Sequence, residues 1–377
     1  MTAAGAAQAN RAAVFGTRLQ KPRPKGCDMI ELNLSILENL PEAAVYVVLG
    51  RITAINPLAA HYLPQLEIDG PVPGYLDLPS YGHKGAGTFT AGRTTYAFSR
   101  TDTGEGQLFL FHPAPQTALT DLQLEGTIRQ MRQLMAEFLT QIGPMTEGGE
   151  GKLSTAAREN FSKSYHRMFR LLNNLDFVTS AAGPDGVPFR PSILDLAGLC
   201  RQIARDAGQL LQQDTFLEYR SDLPSLLIQG DIPLLQRMLL GLLSNSVQTM
   251  KGGVVLLSLR RQGDRAVLSL TDSGERPSDR QLAALLQQDT DQAIPLPSQG
   301  AGLGLSVIRH IVALHRATML VEWGEKAPVI LISLPAGAQE RLAVRTPEVQ
   351  RDGGLSPLLV ELSDVLPSQL FGQEGLD

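Results

Sequence analysis

Apolar residues in the middle of the chain recur at heptad spacing. Leu124, Ile128, Met131, Met135, Phe138 and Ile142 step by four and three, and Phe161, Tyr165, Met168, Leu172 and Leu175 repeat the rhythm, which predicts two amphipathic helices. Gly143-Pro144 is expected to end the first helix, and a glycine-rich loop through Gly151 to reverse the chain. Two such stripes on one hairpin bury poorly alone, so pairing with a second copy into a four-helix bundle, a homodimer, is the simplest solution. Between positions 31 and 113 the period changes to two. Strands are predicted over 44–49 and 51–55 about a tight turn at Gly50, and over 93–100 and 107–112 about the turn TDTGEG. Beyond the helical pair, Ile232, Leu234, Leu235, Met238, Leu239, Leu242 and Leu243 predict an apolar helix, and the run 266–270 a strand. Leu305, Ile308, Ile311, Val312 and Leu314 predict another helix. Near the end, Ser356-Pro357 followed by LLVELSDVL reads as a short helix with serine at its N-cap, stopped by Pro367. That helix either docks on its own chain or serves a partner, and both readings stand.

A chain of 377 residues leads us to expect two or three domains with a sizeable core. The net charge of −5 is dispersed, which gives no footprint for nucleic acid or an anionic membrane. No apolar run approaches the roughly eighteen residues that span a bilayer. Cys27 and Cys200 are far apart without a CxxC partner, so no metal site on cysteine is expected, and a reduced, cytoplasmic compartment is. Residues 1–25 are alanine-rich with five basic residues and no acid, which reads as a disordered tail or as a stretch preceding a true start at Met29.

Three islands carry candidate chemistry: LLSNSVQ at 242–248, TDSGERP at 271–277 and QGAGLGLSVIRHIVALH at 299–315. In the third, Gly300, Gly302 and Gly304 alternate just before a helix. Such a turn either serves the backbone alone or exposes N–H groups at a positive helix end, where a phosphate can approach because no Cβ intervenes. In the second, a strand delivers Asp272 to a turn at Gly274, either as a turn residue or as an acceptor for the exocyclic amino group of a purine. In the first, Asn245 interrupts an apolar helix. Its amide either bonds backbone or helps hold a magnesium ion on phosphates.

The order and spacing of these islands resemble the nucleotide-binding domain of sensor histidine kinases, a family shared with gyrase-type and heat-shock-chaperone-type ATPases, over 191–335. The resemblance implies an α/β sandwich of the Bergerat type binding ATP. It implies that Asn245 coordinates Mg2+, that Asp272 reads adenine, that Gly274 lets the base approach, and that Gly300, Gly302 and Gly304, with Leu303 between them, wrap the phosphates. Gln248 stands where many of these kinases have a phosphate-touching lysine. Gly241 stands where a polar residue often orients the attacking group. Arg276 replaces the second glycine of DxGxG, and no phenylalanine lies between Asp272 and Gly300.

The opening ILENLPEAAVYVV and RITAINPLAA resembles a PAS sensor module; His61 and His83 sit in no pattern for a haem ligand. The helical pair resembles the dimerisation and phosphotransfer bundle of histidine kinases, whose first helix carries the phosphoacceptor histidine. Aligning RQMRQLM to that motif puts Arg129 at the histidine, Arg132 at the family arginine and Leu134 at the proline. A guanidinium stays protonated and is no nucleophile at neutral pH. His166, on the second helix, is either a half-exposed structural residue or a relocated acceptor. The expectation is thus an α+β multidomain, cytoplasmic, two-component-type protein. It comprises a tail (1–28), a PAS-like module (29–114), a dimerisation hairpin (117–182), a histidine-kinase-like ATP domain (190–335) and a tail with a short helix (336–377). Histidine autophosphorylation is expected to be degraded or lost, and the partners to be a second copy and a response regulator or other protein. An active kinase using His166, and a scaffold or partner-directed serine kinase or phosphatase, stand as alternatives.

Overall fold

The computed structural model describes residues 37–38, 40–114, 121–147, 155–211, 215–249, 252–272, 303–324, 328–337 and 355–372. Of the sequence-derived candidates, Gly274, Arg276, Gly300 and Gly302 lie outside the described residues.

The N-terminal module begins with β1 (Ala43–Val48) and β2 (Arg51–Ile55), antiparallel about a turn in which Leu49 and Gly50 take φ of 50° and 74°. At the exit of β2 the buried Asn56 side chain accepts the N–H groups of Ala59 and Ala44 and donates to the Glu42 carbonyl. One amide therefore caps α1 (Pro57–Tyr62), with Pro57 at its first position, and pins it to the sheet. β3 (Gly82–Ala91), β4 (Thr94–Asp102) and β5 (Gln107–Pro113) complete the antiparallel order β2-β1-β5-β4-β3. Its interior is filled by Phe89, Tyr96, Phe98, Phe109 and Phe111, with ring centroids from 5.2 Å (Phe89–Tyr96) to 6.3 Å (Phe98–Phe109). β3 is absent from the sequence reading because GHKGAG lacks alternation and β-branched residues.

Two long helices follow, α2 (Asp121–Glu147) and α3 (Thr155–Ala182). α2 does not stop at Gly143-Pro144 but continues to Glu147. A proline removes only the one bond from its own missing N–H, here to the Thr140 carbonyl, and leaves the preceding turns intact. Phe138 meets Phe161 edge to face at 5.1 Å across the pair. Within one chain part of the heptad stripe stays open: Leu124, Ile128, Met135, Tyr165 and Leu172 are exposed, while Met131, Met168 and Leu175 pack against the core. The opposite, more polar face of α3 is covered instead, with Ser164, His166, Arg170, Leu171, Asn174, Phe177 and Val178 buried.

The C-terminal sandwich is built from β6 (Ser192–Asp195), α4 (Leu196–Leu211), β7 (Thr215–Arg220), β8 (Leu227–Gly230), α5 (Ile232–Thr249), β9 (Gly253–Gln262), β10 (Arg265–Asp272), α6 (Leu303–Leu314), β11 (Thr318–Gly324) and β12 (Pro328–Pro335). β6 pairs only with β8, and the other strands run β11-β12-β10-β9-β7, with β7 parallel to β9 and the rest antiparallel. α4 buries Leu196, Leu199, Cys200, Ile203, Ala207 and Leu211, one stripe at helical spacing. It shares a core with Leu239, Leu242, Leu243, Ile308 and Ile311 of α5 and α6 and with Leu257, Leu268 and Ile332 beneath them.

The other face of this sheet is not left to solvent. β3 pairs antiparallel with β11, from Thr318 opposite Phe89 to Glu322 opposite Gly85, so both sheets merge into one of ten strands. Val267, Leu320, Val329 and Leu331 bury against Leu76, Leu78 and the aromatic cluster of the N-terminal module. At 25 cal/mol per Å², each such side chain contributes roughly 1.5–3 kcal/mol. On the helical side lie α7 (Pro357–Glu361) and a 3-10 turn, Ser368–Phe371, packed on α3 and α5. Ser356 is the N-cap residue of α7, but its side chain makes no capping bond.

Candidate nucleotide site

Asp231 starts the site. Its Oδ1 accepts the Leu234 N–H and its Oδ2 the Arg190 N–H, capping α5, while its own N–H donates to His315 Nε2 at 3.0 Å. His315 Nδ1–H in turn donates to the Ile311 carbonyl, which fixes the neutral tautomer with a bare Nε2. Burial pushes the His315 pKa down, against smaller opposing contributions from the Ile311 carbonyl and Asp231. A Cβ on Gly230 would lie 3.1 Å from the His315 ring and 2.7 Å from Leu235, so glycine is needed for this approach. Further along the same helix, Gly241 is buried with its Cα turned to Ile308, where a Cβ would sit at 3.4 Å.

These two contacts set α5 and α6 antiparallel: the start of α5 meets the end of α6. The last turn of α5, carrying Asn245 and Gln248, therefore lies at the end where α6 begins with Leu303 and Gly304. β9 starts just after α5, and Asp272 at the end of β10 is paired with Val255 near that start. Asn245, Gln248, Asp272, Leu303 and Gly304 are thus collected at one end of the sandwich. Asp272 and Leu303 are buried, and Asn245, Gln248 and Gly304 half-buried.

Two observations show what that end is suited to hold. Gln248 Oε1 and Ser244 Oγ, one helical turn apart, are buried with no hydrogen-bond partner. Buried polar atoms of this kind are costly unless something satisfies them. At Gly304 a Cβ would meet nothing within 4 Å, and no positive φ is recorded there. Neither packing nor backbone conformation thus requires glycine in the first turn of α6. An incoming anion would, because the start of a helix is its positive end and a missing Cβ lets an anion come close to the backbone there. Among the described residues no group of three or more histidine, cysteine or carboxylate side chains is arranged to hold a metal ion. A magnesium ion here would have to be shared with phosphate oxygens, with Asn245 as one ligand.

Residues 230–339 match the family described as histidine kinase-, DNA gyrase B- and HSP90-like ATPases. This segment is an ATPase domain of that family. The chain is also similar to the circadian input-output histidine kinase CikA of Synechococcus elongatus, 29% identical over 181 residues, 46% of this chain and 24% of CikA. It is 32% identical over 126 residues to the sensor-like histidine kinase SenX3 of Mycobacterium bovis, 32% of this chain and 30% of SenX3. The matched part is therefore a third or less of the length of these curated relatives. Among solved structures, histidine kinase AdeS of Acinetobacter baumannii aligns at 15% identity and a TM-score of 0.45, covering 55% of this chain and 98% of AdeS. The chain thus carries a histidine-kinase-like ATPase domain. A domain of this family binds ATP. No helix among the described residues is long and apolar enough to cross a membrane.

The residues outside this end fall differently. Arg129 and Arg132 are exposed on α2 and Leu134 is buried. His166 is not half-exposed: it is 2% accessible, because Phe371 from the C-terminal turn packs on its ring at 5.0 Å. The pairing of Asp231 with His315 was not foreseen from the sequence. Its signal was present, in a Gly-Asp pair opening one apolar helix and a histidine closing another.

Proposed function

We propose that this chain is a dimeric, cytoplasmic, histidine-kinase-like signalling protein. It binds Mg-ATP at the end of the sandwich described above and has lost autophosphorylation on histidine. The observation that carries the nucleotide reading is the pair of unsatisfied buried atoms on Gln248 and Ser244 beside an α6 start whose glycine answers to no internal demand. In this reading Asp272 accepts the adenine amino group, with Gly274 beside it. Asn245 ligates Mg2+, Gln248 faces phosphate, and the backbone N–H groups of 300–304, including Gly300, Gly302, Leu303 and Gly304, cradle the phosphate chain. The ion supplies charge neutralisation at the phosphates.

The loss of histidine chemistry is supported by Arg129 standing exposed where an acceptor would be, by Gly241 facing Ile308 instead of a nucleotide, and by the burial of His166. The PAS-like reading of the N-terminal module is supported by its antiparallel order β2-β1-β5-β4-β3 with α1 after the first hairpin. Its ring-filled interior favours a packing module without a small-molecule ligand. A homodimer is supported by the open stripe of Leu124, Ile128, Met135, Tyr165 and Leu172. A response regulator or another protein is the partner class this architecture serves.

Incubating the purified protein with γ-labelled Mg-ATP tests the proposal. The expected result is retained nucleotide, lost in Asn245→Ala, with no covalent label. An acid-labile, alkali-stable label would show histidine phosphorylation and overturn the second half of the reading; failure to retain nucleotide would overturn the first.

A further inference from the structure

The C-terminal segment lies across the junction of α3 and α5 and is held there by charge. Arg170 of α3 donates to Glu361 at 3.2 Å and to Asp364 at 2.7 Å, and Arg167 donates to Asp364 at 2.8 Å. Arg237 of α5 reaches the other oxygen of Glu361 at 3.4 Å, so one carboxylate bridges the helical pair and the ATPase domain. Lys163, one turn before Arg167, donates to the Leu366 carbonyl at 2.6 Å. Burial raises the Asp364 carboxyl, but Arg170 and Arg167 outweigh it and hold the group below the usual carboxylate range. Between the bonds, Leu359, Leu362, Leu366 and Phe371 bury their side chains. Phe371 covers His166, whose Nδ1–H donates to the Ser162 carbonyl and whose Nε2 is buried with no partner.

Lys163, Arg167 and Arg170 thus form a basic stripe on α3 that, with Arg237, fits an acidic segment studded with leucines. The segment filling it is short, and it is joined to the last strand of the ATPase domain through positions 338–354. Seventeen residues reach on the order of 55 Å when extended, ample for the segment to leave and return. We propose that residues 355–372 are a removable strap, acting in cis, that closes an interaction surface on α3 and α5 and clamps the ATPase domain to the helical pair. With the strap off, the basic stripe is open to a partner of the same acidic, leucine-bearing chemistry, and His166 Nε2 becomes accessible. This inference does not depend on nucleotide binding.

Histidine-by-histidine labelling of the full chain with diethylpyrocarbonate, read by peptide mass spectrometry, tests it. His61 and His83 are exposed and mark full reactivity, while His315, buried in the ATPase domain, marks an intact fold. In the native chain His166 should label as slowly as His315. In the double variant Glu361→Arg with Asp364→Arg, His166 labelling should rise at least tenfold with His315 unchanged, and Phe371→Ala should do the same without touching the ion pairs. A synthetic peptide of residues 355–372 added to the double variant should restore protection, and the same peptide carrying both reversals should not. The proposal is overturned if His166 stays protected in both variants, or if His166 and His315 become reactive together. It is also overturned if the native-sequence peptide fails to protect.

Discussion

Two joints hold the ATPase domain in this chain, and they are made of different materials. The joint to the N-terminal module is backbone: β3 against β11, with no side chain in the seam at Gly85 or Gly87, and one buried ion pair set into it. Arg100 there bonds Glu322 and also donates to the Leu78 and Pro79 carbonyls at 2.9 Å each, while Glu322 accepts the Tyr81 N–H at 2.8 Å. Every polar atom of the pair is occupied, as burial of a charge requires. The joint to the helical pair is side chain: arginines on α3 and α5 against carboxylates of the strap, and Arg237 over the Phe177 ring at 5.0 Å. Strand pairing is directional and specified atom by atom, so the first joint either forms in register or fails. The partly open pair of Arg167 with Asp364 can be exchanged for other partners at modest cost, whereas the buried pair of Arg170 with Glu361 must be replaced by another carboxylate. One joint thus makes a single body of N-terminal module and ATPase domain, and the other adds ion pairs to apolar side chains of the helical pair, Leu134, Leu171, Phe177 and Val178, that share the ATPase core.

The seam is where the largest effect is expected. A Cβ on Gly87 would fall on the Met319 carbonyl oxygen, which is backbone and cannot turn away. Gly87→Val should open the β3–β11 pairing, cost about 4 kcal/mol or more, and split one urea transition into two as the module and the ATPase domain unfold separately. A single transition with an unchanged midpoint would mean the two sheets are not joined. Next in size is the pair itself. Glu322→Gln leaves Arg100 buried without its counter-ion and should cost about 3 kcal/mol, whereas Arg100→Met with Glu322→Leu should recover most of it. If the double variant is no better than the single one, it is the bonds to Leu78, Pro79 and Tyr81 that fix the joint.

This joint also marks where the sequence was hard to read. The heptad stripes, the apolar helix carrying Asn245, the strand into Asp272 and the apolar stripe of α6 each follow a local period, and local periods show in one sequence. The pairing of β3 with β11 depends on which of two sheets' edges meet, and β3 carries its information as glycine, which reads as turn. In retrospect the second face of the sandwich was telling: Val267, Leu320, Val329 and Leu331 are apolar at alternate positions on the side away from the helices, so something had to cover them. The candidate positions Asn245, Gln248, Asp272 and Gly304 can be picked out in the sequence, yet the contacts orienting their elements, Asp231 with His315 and Gly241 against Ile308, lie 84 and 67 residues apart and appear only in three dimensions.

A smaller effect is expected from acid, and it separates the ATPase core from the seam. Burial lowers the folded-state pKa of His315, and likewise of His310, which packs on Phe177 at 5.7 Å. As pH drops, the unfolded chain takes up these protons first. Stability is therefore present in full above the unfolded histidine value near 6.5 and is lost as pH falls below it toward the folded values. Each histidine can contribute up to about 1.4 kcal/mol per pH unit in that window. Urea midpoints at pH 7.5 and 5.5 should fall in the native chain and fall less in His315→Gln; equal slopes would mean that losing the bond from the Asp231 N–H to a protonated His315 costs the fold nothing.

The smallest effect on stability is expected at Gly304, and it is the sharpest for function, because there folding and binding make opposite demands. Gly87 is glycine because protein backbone fills the space above it, whereas the space above Gly304 is open. Alanine in the first turn of α6 should therefore be accommodated and stabilise the ATPase domain by about 0.5 kcal/mol through helix propensity and a less flexible unfolded chain. If a phosphate lies against that turn, the same methyl occupies its place, and affinity for a fluorescent ATP analogue should fall at least tenfold. A variant that is more stable and binds nucleotide as before would place the phosphates elsewhere. A variant that loses stability would mean that the backbone at 304 is held in a conformation alanine resists, and the contrast with Gly87 would disappear.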